Sequence, residues 1–304
     1  MSRSQGLLPN PTMPSQPTTN VRAYVALVTG LLSIGFAAIL IRLADAPGTV
    51  SAFYRMGVAA VLVLLPFAGR VRQEKERLPA AGLRLALLGG ALFAIDVGLW
   101  ATGITLGGAT NPTLMANTAP LWVGLGALLF FGERRRGLFW FGLATAMVGA
   151  AVVLGAATFQ ASEFGLGTLF GLLAAVFYGG YYLVTQRGRA YLSTLNYFWI
   201  TTATAAGFLL LFNLLLGRSL TGYEPMTYVY FVVLGIVAQT LGWLTINYAQ
   251  GYLPASIVAP TLLGQPVATA IFAAVLLDER FTALQVGGGL MVLLGVYLVH
   301  RSND

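Results

Sequence analysis

The sequence predicts an all-α polytopic membrane protein with ten transmembrane helices in two inverted five-helix repeats and with both termini cytoplasmic. Three observations support this fold class. The composition is too apolar for a soluble domain, the chain repeats itself at a fixed offset, and its basic residues concentrate on one predicted side of the membrane.

The composition indicates a chain that folds in a bilayer. Hydrophobic residues make up 57% of it and charged residues 9%, with a mean hydropathy of +0.79. A soluble domain of that composition would expose large apolar patches. Crossing about 30 Å of hydrocarbon takes about 20 helical residues, and the apolar runs are continuous rather than alternating, which favours helices over a β-barrel. The predicted helices cover residues 22–43, 48–69, 82–104, 109–131, 137–157, 164–185, 193–216, 226–249, 253–277 and 281–300.

The chain divides into a short tail and two halves of similar length. Residues 1–20 are rich in Pro, Ser and Thr and lack the apolar stretch of a signal peptide, so they predict a flexible N-terminal tail. The first five-helix repeat is predicted at residues 21–157 and the second at residues 164–301. Cysteine is absent from the sequence, which excludes disulfides and thiolate chemistry.

Basic residues are divided unevenly between the two predicted membrane faces. With ten helices, thirteen of the 17 Lys and Arg residues fall on the side of the N-terminus, three fall on the other side, and Arg55 falls within the second helix. Short cytoplasmic loops carry an excess of Lys and Arg. The distribution therefore predicts a cytoplasmic N-terminus and, because the number of helices is even, a cytoplasmic C-terminus.

An internal repeat is found when each residue is compared with the one 146 positions later. Helices four and five match helices nine and ten without a gap, which predicts two halves of five helices. Because five is odd, the second half enters the membrane from the face on which the first half ended, so the repeats are inverted. The matches are Ala109 with Ala255, Thr110 with Ser256, Pro120 with Pro266, Glu133 with Glu279, Arg134 with Arg280, Gly142 with Gly288, and Gly149 with Gly295.

The segment GERRRG after the fourth helix carries Arg135 and Arg136, which its counterpart DERFTA after the ninth helix lacks. In inverted repeats the two segments lie on opposite faces, and Lys and Arg are disfavoured on the outer one. Both arginines are therefore interpreted as topology determinants, and the preceding Glu-Arg pair as an interfacial salt bridge or helix cap. The glycines seven residues apart on helices five and ten permit close backbone approach and predict a scaffold.

Ten helices in two halves, each closing with Pro, twelve residues, Glu-Arg and then glycines seven apart, resemble the EamA-type families of the drug/metabolite transporter superfamily. The stretch YLPAS at residues 252–256 is also similar to that family's second repeat. Within the superfamily the chain is most similar to the YddG-type exporters of aromatic amino acids. The resemblance implies a multi-pass protein of the cell inner membrane that exports amino acids or related metabolites.

Two matched prolines predict interruptions in the fourth and ninth helices. Pro120 and Pro266 lie near the middle of these helices, where proline has no N–H to donate and crowds the carbonyl four residues earlier. Both are interpreted as hinges or as devices that expose carbonyls beside a substrate. The alternative is a static kink that neighbouring helices tolerate.

Polar residues within the spans predict a substrate cavity, because each is costly in lipid and usually faces a partner or water. On the eighth helix, Gln239, Trp243 and Asn247 follow one another at spacings of four and would share one face. Amides, hydroxyls and aromatic rings suit a zwitterion with an apolar side chain, whereas interhelical hydrogen bonds and aromatic belts are the alternative. The candidate substrate-binding residues are Asp96, Trp100, Asn117, Tyr178, Tyr182, Gln239, Trp243, Asn247 and Gln265.

Two charged residues within the spans carry separate hypotheses. Asp96 is the only acid well inside a span, so it is the candidate for proton coupling or for contact with a substrate ammonium; a neutral, hydrogen-bonded carboxyl is the alternative. Arg55 lies about seven residues into the second helix, where it either meets a carboxylate or snorkels outward. A direct pair between the two is a further alternative.

Inverted repeats favour a secondary transporter that works by alternating access around a midplane cavity. The expected substrates are amino acids with aromatic or large apolar side chains and related metabolites, with a flat cationic drug or a passive channel as alternatives. No enzyme is predicted, because the single His lies at the edge of the last helix and no intramembrane acid pair or GxSxG elbow is present. Cofactors and metals are not expected, and the partners are the small-molecule substrate and the bilayer, not nucleic acid.

Overall fold

A computed structural model describes residues 20–74, 78–107, 110–155, 165–278 and 280–302. The described residues form helices and contain no strand. Residues 1–19 of the predicted tail and the repeat positions Ala109 and Glu279 lie outside the described residues.

Ten helical spans make up the described chain, and two of the ten are broken inside the membrane. Nine are long and apolar enough to cross a bilayer, and the tenth, α5, has 17 residues. The predicted ten-helix fold is therefore confirmed. The spans are α1 (Val21–Ala44), α2 (Gly48–Glu74), α3 (Ala80–Gly107), α4 (Thr110–Ala116 and Ala119–Phe131), α5 (Gly137–Val153), α6 (Leu166–Gly188), α7 (Thr194–Leu215), α8 (Pro225–Ala249), α9 (Ala255–Thr261 and Gln265–Leu276, joined by Leu262–Gly264) and α10 (Ala283–Arg301).

Short polar residues cap several of these helices, as their sequences allow. The side chain of Ser193 accepts a hydrogen bond from the amide of Asn196 at the start of α7. Thr282 and Gln285 form a reciprocal capping box at the start of α10. Such caps satisfy backbone N–H groups that have no partner within the helix. They fix where α7 and α10 begin.

The main contacts between helices recur when each helix is exchanged with the one five positions away. The contact of α3 with α6 is matched by that of α8 with α1, the contact of α4 with α6 by that of α9 with α1, and the contact of α3 with α7 by that of α8 with α2. Three further contacts join equivalent helices directly: α2 with α7, α4 with α9, and α5 with α10. Two halves related by a twofold axis produce this pattern.

The close contact between α5 and α10 shows that the repeats are inverted. A Cβ on Gly142 would lie 2.8 Å from the carbonyl oxygen of Gly295, and one on Gly149 would lie 2.6 Å from that of Gly288. The earlier glycine of each helix thus faces the later glycine of the other, so the two equivalent helices run antiparallel. Glycine permits this approach because it has no side chain to separate the backbones.

We expect Gly288→Ala to destabilise the fold, because its Cβ would lie 2.8 Å from the carbonyl oxygen of Gly149. Overpacking of this kind costs about 1–3 kcal/mol. Gly287→Ala is the matched control, since a Cβ there meets no atom within 4 Å. Thermal unfolding in detergent should show a lower midpoint for the first variant and an unchanged or slightly higher one for the second. Equal midpoints would contradict the assignment of this contact as the scaffold.

Candidate functional site

A cavity of about 530 Å³ lies between the two halves. Its volume falls within the range of about 300–1,000 Å³ typical of small-molecule sites. Side chains from α1, α2, α3, α4, α5, α6, α8, α9 and the start of α10 line it. The polar and aromatic lining residues are Arg42, Arg55, Phe93, Asp96, Trp100, Thr113, Asn117, Tyr178, Tyr182, Trp243, Gln265, Thr269 and Gln285.

The cavity reaches one membrane face. We name the face at which α1 begins the N-terminal face, and the other the opposite face. The lining includes the exposed Arg42 in the last turn of α1, Leu154 directly after α5, and Gln285 in the first turn of α10. Since α1 and α5 both end, and α10 begins, at the opposite face, the cavity extends to that face.

Toward the N-terminal face the cavity is closed by packed side chains. Its lining ends at Pro120 on α4 and Ala259 on α9. Val123 and Ala127 lie beyond on α4, both with no exposed surface, and they share one apolar cluster with Leu183 of α6. The cavity therefore opens to one side only.

Seven of the nine candidate substrate-binding residues line this cavity, together with Arg55 and the two candidate hinge prolines. Three of the seven take part in hydrogen bonds between side chains: the Trp100 indole N–H of α3 donates to Thr113 Oγ1 of α4 over 3.1 Å, and within α6 the Tyr182 hydroxyl donates to that of Tyr178 over 2.8 Å. The seven are Asp96, Trp100, Asn117, Tyr178, Tyr182, Trp243 and Gln265.

Gln239 and Asn247 are the two candidates that do not line the cavity. The Gln239 amide donates to Thr202 Oγ1 of α7 over 3.3 Å, and the Asn247 amide donates to the carbonyl of Trp243 over 2.8 Å. Of the predicted stripe on α8, only Trp243 lines the cavity, whereas the Gln239 amide contacts α7 and the Asn247 amide contacts Tyr181 of α6. The alternative of interhelical hydrogen bonds therefore holds for these two residues.

Both matched proline positions interrupt their helices beside the cavity. In α4 the chain turns at Asn117 and Thr118 before the second segment begins, and the Asn117 amide donates to the carbonyl of Thr113 over 2.8 Å. In α9 the 3-10 segment Leu262–Gly264 precedes Pro266. Backbone of this irregular kind is tolerated within a membrane where it lines a cavity or is buried in protein. The hinge role of the prolines stays a prediction.

An aromatic cluster forms one wall of the cavity. The ring of Phe93 lies 4.8 Å from those of Tyr181 and Trp243, and the ring of Tyr178 lies 6.1 Å from that of Trp243. Phe93 was not among the sequence candidates. Its position three residues before Asp96 on α3 places both on one helical face, and that spacing was the signal that could have identified it.

Two opposite charges face the cavity without pairing. Asp96 of α3 is 7% exposed, Arg55 of α2 is half-buried, and both line the cavity. The structure records no ion pair within 4.0 Å or hydrogen bond between them, and Arg55 Nε is buried without a hydrogen-bond partner. Arg55 therefore does not snorkel to a membrane surface. Both charges lie within a region of mainly apolar walls.

Metal binding has no obvious site in the part of the chain that the structure describes. It contains no group of three or more His, Cys, Asp or Glu side chains placed to hold an ion. The chemistry available in the cavity is that of one carboxylate, guanidinium groups, amides, hydroxyls and aromatic rings.

Comparison with known proteins adds relatives of the same architecture. Two pseudopaline exporters named CntI, from two strains of Pseudomonas aeruginosa, are each 23% identical to the chain over 264 residues, which is 86% of this chain and 88% of theirs. A protein of known crystal structure shares 16% identity and superposes with a TM-score of 0.77 over 93% of this chain and 99% of its own. That likeness shows the fold alone.

A family model for EamA-like transporters matches residues 21–155 and again residues 165–301. The two matches fall on the two five-helix halves whose helices pack with twofold symmetry. Members of the family are transporters rather than enzymes. The chain therefore belongs to the EamA-like transporter family.

Proposed function

We propose that this protein is a secondary exporter of amino acids with aromatic or large apolar side chains, and that it works by alternating access around the cavity. The observation that carries the proposal is the placement of Asp96 and Arg55 on one cavity without pairing to each other. Unpaired opposite charges inside a membrane are costly unless a ligand or water meets them. A zwitterion supplies a partner for each.

The substrate carboxylate is assigned to Arg55 and to the helix breaks, which line the same cavity. Arginine binds carboxylates through two parallel hydrogen bonds. The second segments of α4 and α9 begin beside the cavity, at Ala119 and Gln265, and both residues line it. Helix N-termini carry a partial positive charge, which favours an anionic group. The substrate ammonium is assigned to Asp96.

The aromatic cluster suits the substrate's side chain. The rings of Phe93, Tyr178 and Trp243 have centroids 4.8, 6.1 and 6.3 Å apart and present both faces and edges. Aromatic rings in offset or edge-to-face contact contribute about 0.5–1.5 kcal/mol per pair beyond simple burial. This supports a preference for aromatic or large apolar amino acids over small or charged ones.

The direction of transport is proposed from the relatives. Both curated relatives are named as exporters, of pseudopaline. We propose export for this chain as well, with two moving halves at residues 21–157 and 164–301 and with Pro120 and Pro266 as hinges. Inverted repeats support this mechanism because two similar halves can exchange conformations and expose one site to alternate sides.

We further propose an inner-membrane location with both termini in the cytoplasm, which the bias of Lys and Arg toward the N-terminal face supports. The natural chain has no cysteine, so single cysteines report cleanly. In intact cells an impermeant maleimide should label Thr221→Cys in the α7–α8 loop but should label Arg301→Cys only after lysis. Both side chains are exposed. The reverse pattern would invert the assigned orientation.

Flux in proteoliposomes loaded with phenylalanine tests the charge assignment. We expect Arg55→Gln to raise the KM at least about tenfold, because hydrogen bonds to charged groups contribute about 1.5–3 kcal/mol. The same variant should leave competition by phenethylamine, which has no carboxylate, nearly unchanged. Asp96→Asn should show the mirror pattern: a raised KM for phenylalanine and unchanged competition by phenylpropionate, which has no amine.

Gln239→Leu is the control for that experiment, since Gln239 lies outside the cavity lining and contacts α7. Its KM should match that of the natural protein. Loss of both analogues' competition in both variants would show that the two charges hold the fold and do not bind the substrate's ends. Linear, non-saturating flux would support the passive channel, and inhibition by flat cations with no effect of amino acids would support the drug exporter.

We propose facilitated efflux down the substrate gradient, because proton relays in transporters are usually chains of several titratable side chains and the spans contain a single acid. Proton antiport is the alternative, with Asp96 as the coupling group. Phenylalanine flux should be the same with and without an imposed pH gradient. A flux that follows the pH gradient in the natural protein and ignores it in Asp96→Asn would establish the antiport alternative.

A further inference from the structure

A cluster of four polar side chains ties the two halves together at the N-terminal face; we name Glu133, Arg135, Gln186 and Ser256 the N-face cluster. Arg135 Nη2 donates to Glu133 Oε2 over 2.7 Å and to Ser256 Oγ over 2.6 Å. Ser256 Oγ also donates to Glu133 Oε2 over 2.7 Å. Gln186 Nε2 donates to Glu133 Oε1 over 3.2 Å, and Gln186 Oε1 accepts from the amide of Ala255 over 2.6 Å.

The ion pair in this cluster differs from the one that the sequence suggested. The partner of Glu133 is Arg135, at 2.7 Å, and not the adjacent Arg134, whose side chain is exposed. The Arg135 guanidinium also lies 5.7 Å from the ring centre of Phe139 on α5. The Arg135 and Glu133 side chains are only 12% and 18% exposed. Solvent and salt therefore screen the attraction between these two charges less than that of an ordinary surface pair.

The N-face cluster lies on the closed side of the cavity. It joins the end of α4 in the first half to the end of α6 and the start of α9 in the second. Between the cluster and the cavity lie the buried Val123 and Ala127. For the cavity to open toward the N-terminal face, α4 and α9 must separate at this end, and the contacts from Glu133 and Arg135 to Ser256 must break.

In the sequence, the positions of the other repeat that correspond to the cluster lack its basic residue. At the offset of 146 residues, Glu133 corresponds to Glu279 and Ser256 to Thr110, so the acid and the hydroxyl recur in the sequence. Arg135 corresponds to Phe281, which cannot bridge an acid and a hydroxyl. One face therefore has the basic residue that completes such a cluster, and the corresponding position on the other face does not.

We propose that the N-face cluster is a one-sided lock, with Arg135 as its key residue, that biases the resting transporter toward the conformation in which the cavity faces the opposite side. The lock rests on the alternating access proposed above and adds to it a difference between the two faces. Charge-assisted hydrogen bonds are about twice as strong as neutral ones. The bonds of Arg135 must break before the N-terminal face opens, and Phe281, the residue at the corresponding position of the other repeat, can form no such bond.

Two single-cysteine reporters measure the bias in purified full-length protein. Ala270→Cys lies on the cavity lining, and Val123→Cys lies in the buried layer behind it. The ratio of their maleimide labelling rates, position 123 over position 270, should rise about tenfold or more when Arg135→Ala is added. Ser256→Ala should raise it in the same direction. Phe281→Arg, which adds a basic residue to the other face, should also raise it without removing any contact of the lock.

Arg136→Ala is the matched control, because Arg136 is an exposed arginine one residue further along the same loop. It should leave the labelling ratio unchanged. Equal ratios for Arg135→Ala and Arg136→Ala would overturn the proposal, as would an unchanged ratio in Ser256→Ala and Phe281→Arg if Arg135→Ala does not fold. Labelling needs no substrate, so a failure of phenylalanine transport with a shifted ratio would refute the proposed substrate and leave the lock standing.

Discussion

The structure depends on one constraint: inside hydrocarbon, polar groups must be paired within the protein or must face water. Ten helices satisfy most backbone groups internally. The exceptions concentrate in one place. The breaks in α4 and α9, Asp96 and Arg55 all border the same cavity, which is where an unpaired polar group can meet water or a ligand. The constraint thus decides where irregular backbone and buried charge can lie, and so where a substrate can bind.

Twofold exchange of the halves organises the rest of the molecule. Helices α5 and α10, which the twofold exchanges, meet glycine to glycine, so their backbones have little room to shift. Helices α4 and α9, which the twofold also exchanges, contain the interruptions. The same pair of inverted repeats therefore contains one closely packed contact, between α5 and α10, and one pair of interrupted helices, α4 and α9. Interhelical hydrogen bonds, such as that from Trp100 to Thr113, connect the cavity wall to these broken helices. Movement of α4 would therefore alter the wall directly.

Much of this arrangement was predictable from the sequence, and the parts that were not have identifiable causes. Continuous apolar runs and the offset of 146 residues fixed the number of helices and the inverted repeat. Seven of nine candidate residues line the cavity because intramembrane polar groups have few alternatives. Gln239 and Asn247 do not, because their amides hydrogen-bond Thr202 of α7 and Tyr181 of α6 instead, and residue spacing does not show which helix packs against which face. The choice of Arg135 over Arg134 as partner of Glu133 depends on loop geometry, which residue type alone does not determine.

The one-sided lock has a consequence for when export begins. A lock on one face cannot make the protein a pump, since net flux still follows the gradients. It does set the fraction of molecules whose N-terminal face is open, and the apparent affinity on that face is reduced by the same fraction. A carrier with this bias binds little substrate while the concentration at that face lies below the weakened apparent affinity, and it transports appreciably only when the solute accumulates above it. The contacts of Arg135 would in this way give the protein the behaviour of an overflow valve.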